Sequence, residues 1–329
     1  MRARDAFFAA AIRDGTRAGG CAMFKRELIA ELKCEGYSPR AWAAYVRGHL
    51  RLVREVLEAR PAPVRSLIAH GAAQFGLLLV FALALALVDQ PGLGRHVFVA
   101  GALALVFFAA WALLHLGLLT DLGGRPLLGF GVPNALTLFR GMAGPPLVVV
   151  ALAHELALAG VIYAVASLSD VVDGFVARRR GPVSRLGVVM DALVDIVWNS
   201  SAVLALVLAG ILPAWILLAV GVRYGLLLAG SAVLYLVHAG MHIRPTRFGK
   251  LTGFFTSMVI LLIVGNRLAA GAGGLGAAPS REVESLLEIA LGFIIAATIG
   301  HAFVLGWLNR RAPADERERV RGRVVGRIR

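Results

Sequence analysis

Residues Asp170–Asp195 read DVVDGFVARRRGPVSRLGVVMDALVD and join the end of one apolar stretch to the start of the next. Residues 156–177 before the join and 186–209 after it are each long and apolar enough to cross a bilayer, for which about 20 residues suffice. Arg178, Arg179, Arg180 and Arg185 mark the connection, which is short enough to make the two spans antiparallel neighbours. Inside those spans stand Asp170, Asp173, Asp191 and Asp195. A central aspartate opposes insertion by about 3 kcal/mol, and four by roughly 10 kcal/mol, unless they face water, a cation or one another.

Their spacing points to the compensation. Asp170 and Asp173 share a helix face with Gly174 and Ala177, while Gly187, Asp191 and Asp195 recur at intervals of four. At a rise of about 1.5 Å per residue, Asp170 and Asp173 lie about 12 and 8 Å below Arg178, and Asp191 and Asp195 about 9 and 15 Å from Arg185. Four carboxylates thus converge at similar depth, and they cannot all stay ionised unaided. An oxygen-only donor set without His or Cys selects a hard divalent cation, Mg²⁺ or Mn²⁺. The set can serve one ion or two, and magnesium held this way keeps positions open for substrate phosphates. The small residues Gly174, Ala177 and Gly187 either leave a slot for a flat group such as a nucleobase or let helices pack closely.

Composition extends the membrane reading to the whole chain of 329 residues, of which 58% are hydrophobic and only 16% charged. Mean hydropathy is +0.76. These values exclude a soluble enzyme, a disordered chain and a coiled coil. Spans are expected at 67–88, 97–119, 134–153, 156–177, 186–209, 213–238, 251–270 and 285–307, giving an all-α polytopic bundle with both termini on one side. Of 34 basic residues, 31 are arginine, and they gather at Arg125, Arg178–Arg180, Arg185, Arg244, Arg247, Lys250 and both tails. That face is expected to be cytosolic, and topology rather than nucleic acid accounts for the net charge of +14.

Residues 1–65 hold 13 basic and 7 acidic residues and no span, and the seven-residue apolar run Ala6–Ile12 is too short for a cleavable signal peptide. Ser38 and Pro39 read as a helix cap and first position, and Pro61 and Pro63 close that helix and open the first span. Trp42, Val46, Leu50, Val53 and Leu57 form an apolar stripe opposite Arg40, Arg47, Arg51 and Arg54. Such a helix either lies on the membrane surface or packs its stripe on the rest of the protein. Cys21 and Cys34 lack partners at metal-ligand spacing and are read as reduced thiols.

The stretch from Asp170 to Asp195 fits D-x2-D-G-x2-A-R-x8-G-x3-D-x3-D at every fixed position and resembles the signature of the CDP-alcohol phosphatidyltransferases, integral membrane enzymes of phospholipid synthesis. GVPNALTLFRGMAGPP, residues 131–146, is similar to the segment that opens the six-helix core of that family. The resemblance implies a core at 131–308, preceded by a basic amphipathic region (1–65) and two appended spans (66–120), and followed by a basic cytosolic tail (309–329). It implies that Asp170, Asp173, Asp191 and Asp195 hold divalent metal, two Mg²⁺ or Mn²⁺ ions being expected, with Asp191 catalytic and Asp195 the general base. Asp170, Gly174, Ala177, Arg178, Gly187, Asn134, Thr137 and Arg140 would receive the cytidine and diphosphate. The donor would be CDP-diacylglycerol and the usual state a homodimer, within a bacterial cytoplasmic membrane.

Arg244, Arg247 and Lys250 stand at the expected cytosolic entrance, where the resembling family binds the phosphate of acceptors such as glycerol 3-phosphate or inositol phosphate. Arg223, near the middle of the sixth span, needs a partner, and the aspartates or a ligand phosphate could supply it. His238 and His242 read as interfacial, and His70 and His115 as polar residues between helices. Glycerol-phosphate enzymes resembling this family follow the last aspartates as D-P-x-A-D-K, whereas this chain reads DALVDIVWN. Two other functions compete: transfer of a phospho-amino-alcohol from CDP-ethanolamine or a similar donor to diacylglycerol, and cation or proton transport. Clustering of the acids near one face, without an internal repeat, argues against transport.

Overall fold

The computed structural model describes residues 28–29, 31–88, 90–180, 183–238, 247–271 and 281–311, without the side chains of 170–180, 231, 234–238, 247, 249–250, 253, 257, 264, 267–271, 281–284 and 302–311. Among them no strand forms, only two isolated bridges. The helices are α1 (Pro39–Ala59), α2 (Pro61–Leu87), α3 (Pro91–Leu114), α4 (Val132–Leu152), α5 (Leu156–Arg180), α6 (Arg185–Leu208), α7 (Ala214–His238), α8 (Arg247–Gly271) and α9 (Arg281–Arg311). Each of the eight expected spans is one helix, α2 to α9. Over the described residues α2, α3, α4 and α6 are long and apolar enough to cross a membrane, and α5, α7, α8 and α9 carry shorter apolar stretches. The protein is an all-α membrane helix bundle.

Boundaries differ where hydropathy and helix part company. The second span, expected to reach residue 119, ends as helix at Leu114 and gives way to a 3-10 turn at Leu116–Leu118. Leu116 and Leu119 are apolar because they are buried against protein, not because they face lipid. At the other join, α5 continues through Arg180, since arginine is a good helix former and can reach the headgroups from the end of a span.

The chain divides into two compact units, one comprising residues up to Leu217 together with Tyr235–Met241, the other Leu218–Leu234 and the chain from His242. In the first unit α4 is the hub on which α3, α5 and α6 pack. Glycine makes the approach possible: a Cβ at Gly141 would fall 2.8 Å from the Phe108 ring of α3 and 3.1 Å from Val194 of α6, and one at Gly144 would fall 3.0 Å from the Ser201 hydroxyl. Close contact of this kind replaces the hydrophobic drive that lipid does not provide. Neighbours α5 and α6 also meet directly, with the Tyr163 and Trp198 rings stacked at 5.6 Å.

Loop contacts confirm that the first five spans alternate. On one face Gln90 donates to Glu155 at 2.8 Å, tying the α2–α3 turn to the α4–α5 turn. On the opposite face the backbone N–H of Arg185 donates to the Thr120 carbonyl at 2.9 Å, and Asp121 bridges Ser184, so the α3–α4 loop is seated on the start of α6. Arg60, the one residue between α1 and α2, supports that loop from below. Its guanidinium donates to the carbonyls of Leu116 (3.4 Å), Leu119 (3.0 Å) and Leu127 (2.7 Å). Helix α2 adds two further ties, Ser66 Oγ accepting from the Phe130 N–H at 3.0 Å and Gln74 Nε2 donating to the Ala135 carbonyl at 2.7 Å. In the second unit α8 packs on α9 through Val259, Ile260, Ile263, Leu291 and Ile295, with the Phe248 and His301 rings 4.6 Å apart.

Candidate active site

The site begins with a cap. Ser184 stands in extended backbone ahead of α6, and its Oγ accepts from the Gly187 N–H at 2.8 Å, meeting one of the donors that a helix start leaves unpaired. The same hydroxyl donates to Asn134 Oδ1 at 3.1 Å, and Asn134 Nδ2 donates to the Phe130 carbonyl at 2.5 Å. Gly187 is where the two helices touch: a Cβ there would collide with Asn134 Oδ1 and lie 2.8 Å from Ser184 Oγ. The first turn of α6 is thereby locked to the first turn of α4.

Farther along, α4 presents Arg140 and α6 presents Asp191 and Asp195, one turn apart. Arg140 is 1% exposed, and its Nη2 donates to Asp191 Oδ1 at 2.5 Å and to Asp195 Oδ1 at 2.7 Å. The two aspartates remain 45% and 49% exposed, so the guanidinium sits behind them and their outer surfaces are open. A buried guanidinium needs an anion, and two carboxylates on successive turns need a cation. Each requirement answers the other through charge-assisted hydrogen bonds.

Asp170 and Asp173 belong to the neighbouring helix α5. Counted seven residues each way from the Tyr163–Trp198 contact along antiparallel helices, Asp170 comes level with Asp191 to within about a turn, and Asp173 lies one turn closer to the arginine-rich end. The side chains of Asp170 and Asp173 lie outside the description, as do those of Gly174, Ala177 and Arg178 in the last turns of α5. On α6 the donors are hard carboxylate oxygens, half-exposed and one turn apart, and this set fits a magnesium-class cation.

Other expected residues have definite places. Asn134, Thr137 and Arg140 are all buried along one side of α4, and Thr137 Oγ1 donates to the Pro133 carbonyl at 3.1 Å. The space beside Gly187 is filled by Asn134 and Ser184, so close packing accounts for that glycine. Arg223 belongs to the second unit, half-buried, its guanidinium carbon 5.1 Å from the centre of the Tyr224 ring. Arg247 and Lys250 fall in the first turn of α8 without described side chains, and Arg244 lies outside the described residues. Cys34 is an exposed free thiol, and Cys21 lies outside the described residues.

Sequence reasoning found the aspartates but not the partner of the α6 pair. A mid-span arginine defaults to a paired role, and this holds for Arg140 as it does for Arg223. The Ser184 cap had a signal too, a serine directly before the apolar periodicity of α6. Nothing local marks Arg60 as the support of a loop whose carbonyls lie 56 to 67 residues away.

Residues 130–299, from just before α4 into α9, match the model of a family described as CDP-alcohol phosphatidyltransferase, just over half of the chain. The chain belongs to that family. Among curated relatives, a Mycobacterium bovis protein and a Mycobacterium tuberculosis protein, each named "Putative cardiolipin synthase", are 31% identical over 137 residues, 39% of this chain and 64% of the relative. The chain therefore spans less than two thirds of the length of those relatives. As a CDP-alcohol phosphatidyltransferase family member, this protein carries all four aspartates and Arg140 inside the matched region, whereas α1, α2 and α3 precede it.

Proposed function

We propose that the protein transfers the phosphatidyl group of CDP-diacylglycerol to a small polar alcohol bearing phosphate, such as glycerol 3-phosphate or an inositol phosphate, and releases CMP. Membership of the family supports the reaction class. The observation that carries the reading is the half-exposed Asp191–Asp195 pair, one turn apart on α6 and held from behind by Arg140.

In this reading Asp170, Asp173, Asp191 and Asp195 would hold two Mg²⁺ ions, or Mn²⁺ in their place, which would supply charge neutralisation at the diphosphate. The residues of the chain do the rest. The acceptor hydroxyl attacks the lipid-linked phosphorus, its proton passes to the Asp195 carboxylate, and CMP departs with the electrons of the broken P–O bond. Asp195 takes this role because it is the deeper of the pair along α6. Arg140 fixes both carboxylates and cannot swing toward substrate without abandoning them. Arg178, Gly174 and Ala177 receive the cytidylyl group, and Arg244, Arg247, Lys250 and Arg223 the acceptor phosphate. The protein works as a homodimer in the cytoplasmic membrane, with both termini in the cytosol.

A second acceptor has its own support. The relatives are named for cardiolipin synthesis, and DALVDIVWN departs from the run found in glycerol-phosphate enzymes. The acceptor hydroxyl would then sit on phosphatidylglycerol. Purified protein in nanodiscs, given CDP-diacylglycerol labelled in its acyl chains and each acceptor in turn, separates the two. We expect Mg²⁺-dependent CMP release and labelled product with glycerol 3-phosphate or inositol phosphate, and none with inositol or serine. Release with phosphatidylglycerol alone replaces the first acceptor by the second. No release with any of them, or transfer from CDP-ethanolamine instead, overturns the proposal.

A further inference from the structure

Helix α1 has three faces, and one of them packs on the described residues of the protein. Ala41, Leu52 and Val56 are buried, Gly48 lies so close to Leu28 that a Cβ would come within 2.7 Å of it, and the His49 ring lies 6.1 Å from that of His115. About a third of a turn around the helix, Trp42, Val46 and Leu50 recur every four residues and are 40%, 50% and 51% exposed. The remaining face carries Arg40, Arg47, Arg51 and Arg54, all exposed, with Arg54 donating to Glu58 at 2.8 Å. Trp42, Val46 and Leu50 of the stripe read from the sequence therefore lie on a separate surface from the one that packs on the protein, while Val53 and Leu57 farther along it are half-buried.

The position of α1 says what that surface meets. A single residue separates it from α2, a membrane span with exposed Ile68, Leu79 and Val80. His49 lies 11 residues before Arg60, about 16 Å along a helix, and yet it touches His115 at the far end of the antiparallel α3. A helix that continued outward along the axis of α2 could not make that contact. Helix α1 must instead run across the adjoining ends of α2 and α3, in the plane where hydrocarbon gives way to headgroups. An exposed Trp-Val-Leu stripe flanked by arginines at that level matches lipid in polarity on one side and anionic headgroups in charge on the other.

We infer that α1 is an interfacial anchor that docks on an anionic lipid surface, with Trp42, Val46 and Leu50 among the upper acyl chains and Arg40, Arg47, Arg51 and Arg54 at the phosphates. The inference does not depend on the proposed transferase reaction. Trp42 packs edge-on against Tyr45 at 5.8 Å, and Tyr45 stacks on His49 at 6.4 Å, so the stripe is braced from within the helix. Such aromatic rings are favoured at the headgroup level.

The test uses the full chain with Cys21→Ser and Cys34→Ser, carrying Val46→Cys, Leu50→Cys or Arg47→Cys labelled with bimane and reconstituted with or without phosphatidylglycerol. Brominated acyl chains should quench bimane at 46 and 50 several-fold more than at 47, and quenching should rise when phosphatidylglycerol is present. Arg40→Gln, Arg47→Gln, Arg51→Gln and Arg54→Gln together in the Val46→Cys chain should remove the phosphatidylglycerol dependence. Equal access of aqueous iodide to 46 and 47 overturns the inference. So does protection of 46 and 50 from iodide without quenching by brominated lipid, since a second copy or residues 1–27 would then cover the stripe.

Discussion

Asp195 and Arg140 carry the sharpest expectations at the scale of single residues. Asp195→Asn keeps an oxygen for Arg140 Nη2 but removes the proton acceptor. CMP release should fall by about 10²- to 10⁴-fold, the usual worth of a general base, while equilibrium binding of CDP-diacylglycerol survives. Lost binding would instead make Asp195 chiefly a metal ligand. Arg140→Gln should behave differently, because it leaves Asp191 and Asp195 facing one another beside a neutral group. The carboxylates left behind are half-exposed and can be hydrated, so the loss is of hydrogen bonds from a charged donor, about 1 to 3 kcal/mol, and thermal unfolding in detergent should begin below that of the unaltered protein. Added Mg²⁺ should recover part of the loss. The contrast shows what was readable in advance. Aspartates in apolar spans are conspicuous because hydropathy alone forbids them, whereas the pairing of Asp191 and Asp195 with Arg140 depends on which helices pack together, a tertiary fact with no local trace.

Among the elements, the contact between α4 and α6 is the one that admits least change. Gly187→Ala would push a methyl group into Asn134 and Ser184. Overpacking of this sort costs about 1 to 3 kcal/mol, and Asn134→Ser in the same chain should restore part of the stability and of the CMP-release rate. Failure of that rescue would indicate that the methyl group obstructs something other than Asn134. Helix existence was legible throughout, because eight long apolar segments separated by arginine and proline admit little else. Helix ends were less so. Hydropathy reports what faces lipid, and it misplaced the end of α3 because Leu116 and Leu119 are buried beneath α1 and not in a bilayer. The small residues around the aspartates were left open between ligand space and close packing, and only the position of the Asn134 side chain decides the matter for Gly187.

For the whole molecule, the question is what the segments ahead of the family match contribute. Arg60 donates to three carbonyls of the loop whose Thr120 in turn receives the Arg185 N–H at the head of α6. Arg60→Gln should lower stability by about 1 to 3 kcal/mol, the range for losing hydrogen bonds from a charged donor. It should also slow CMP release, while CDP-diacylglycerol affinity measured by equilibrium binding stays close to normal. Unchanged release would restrict Arg60 to a stabilising role. The ties made by Ser66, Gln74 and Thr120 cross the boundary at residue 130 where the match begins, and Arg60 holds the loop that carries Thr120. The half of this protein that the family model matches is accordingly not autonomous: grafted elsewhere or excised at that boundary, it would leave behind the hydrogen-bond partners on which its reactive helix is mounted.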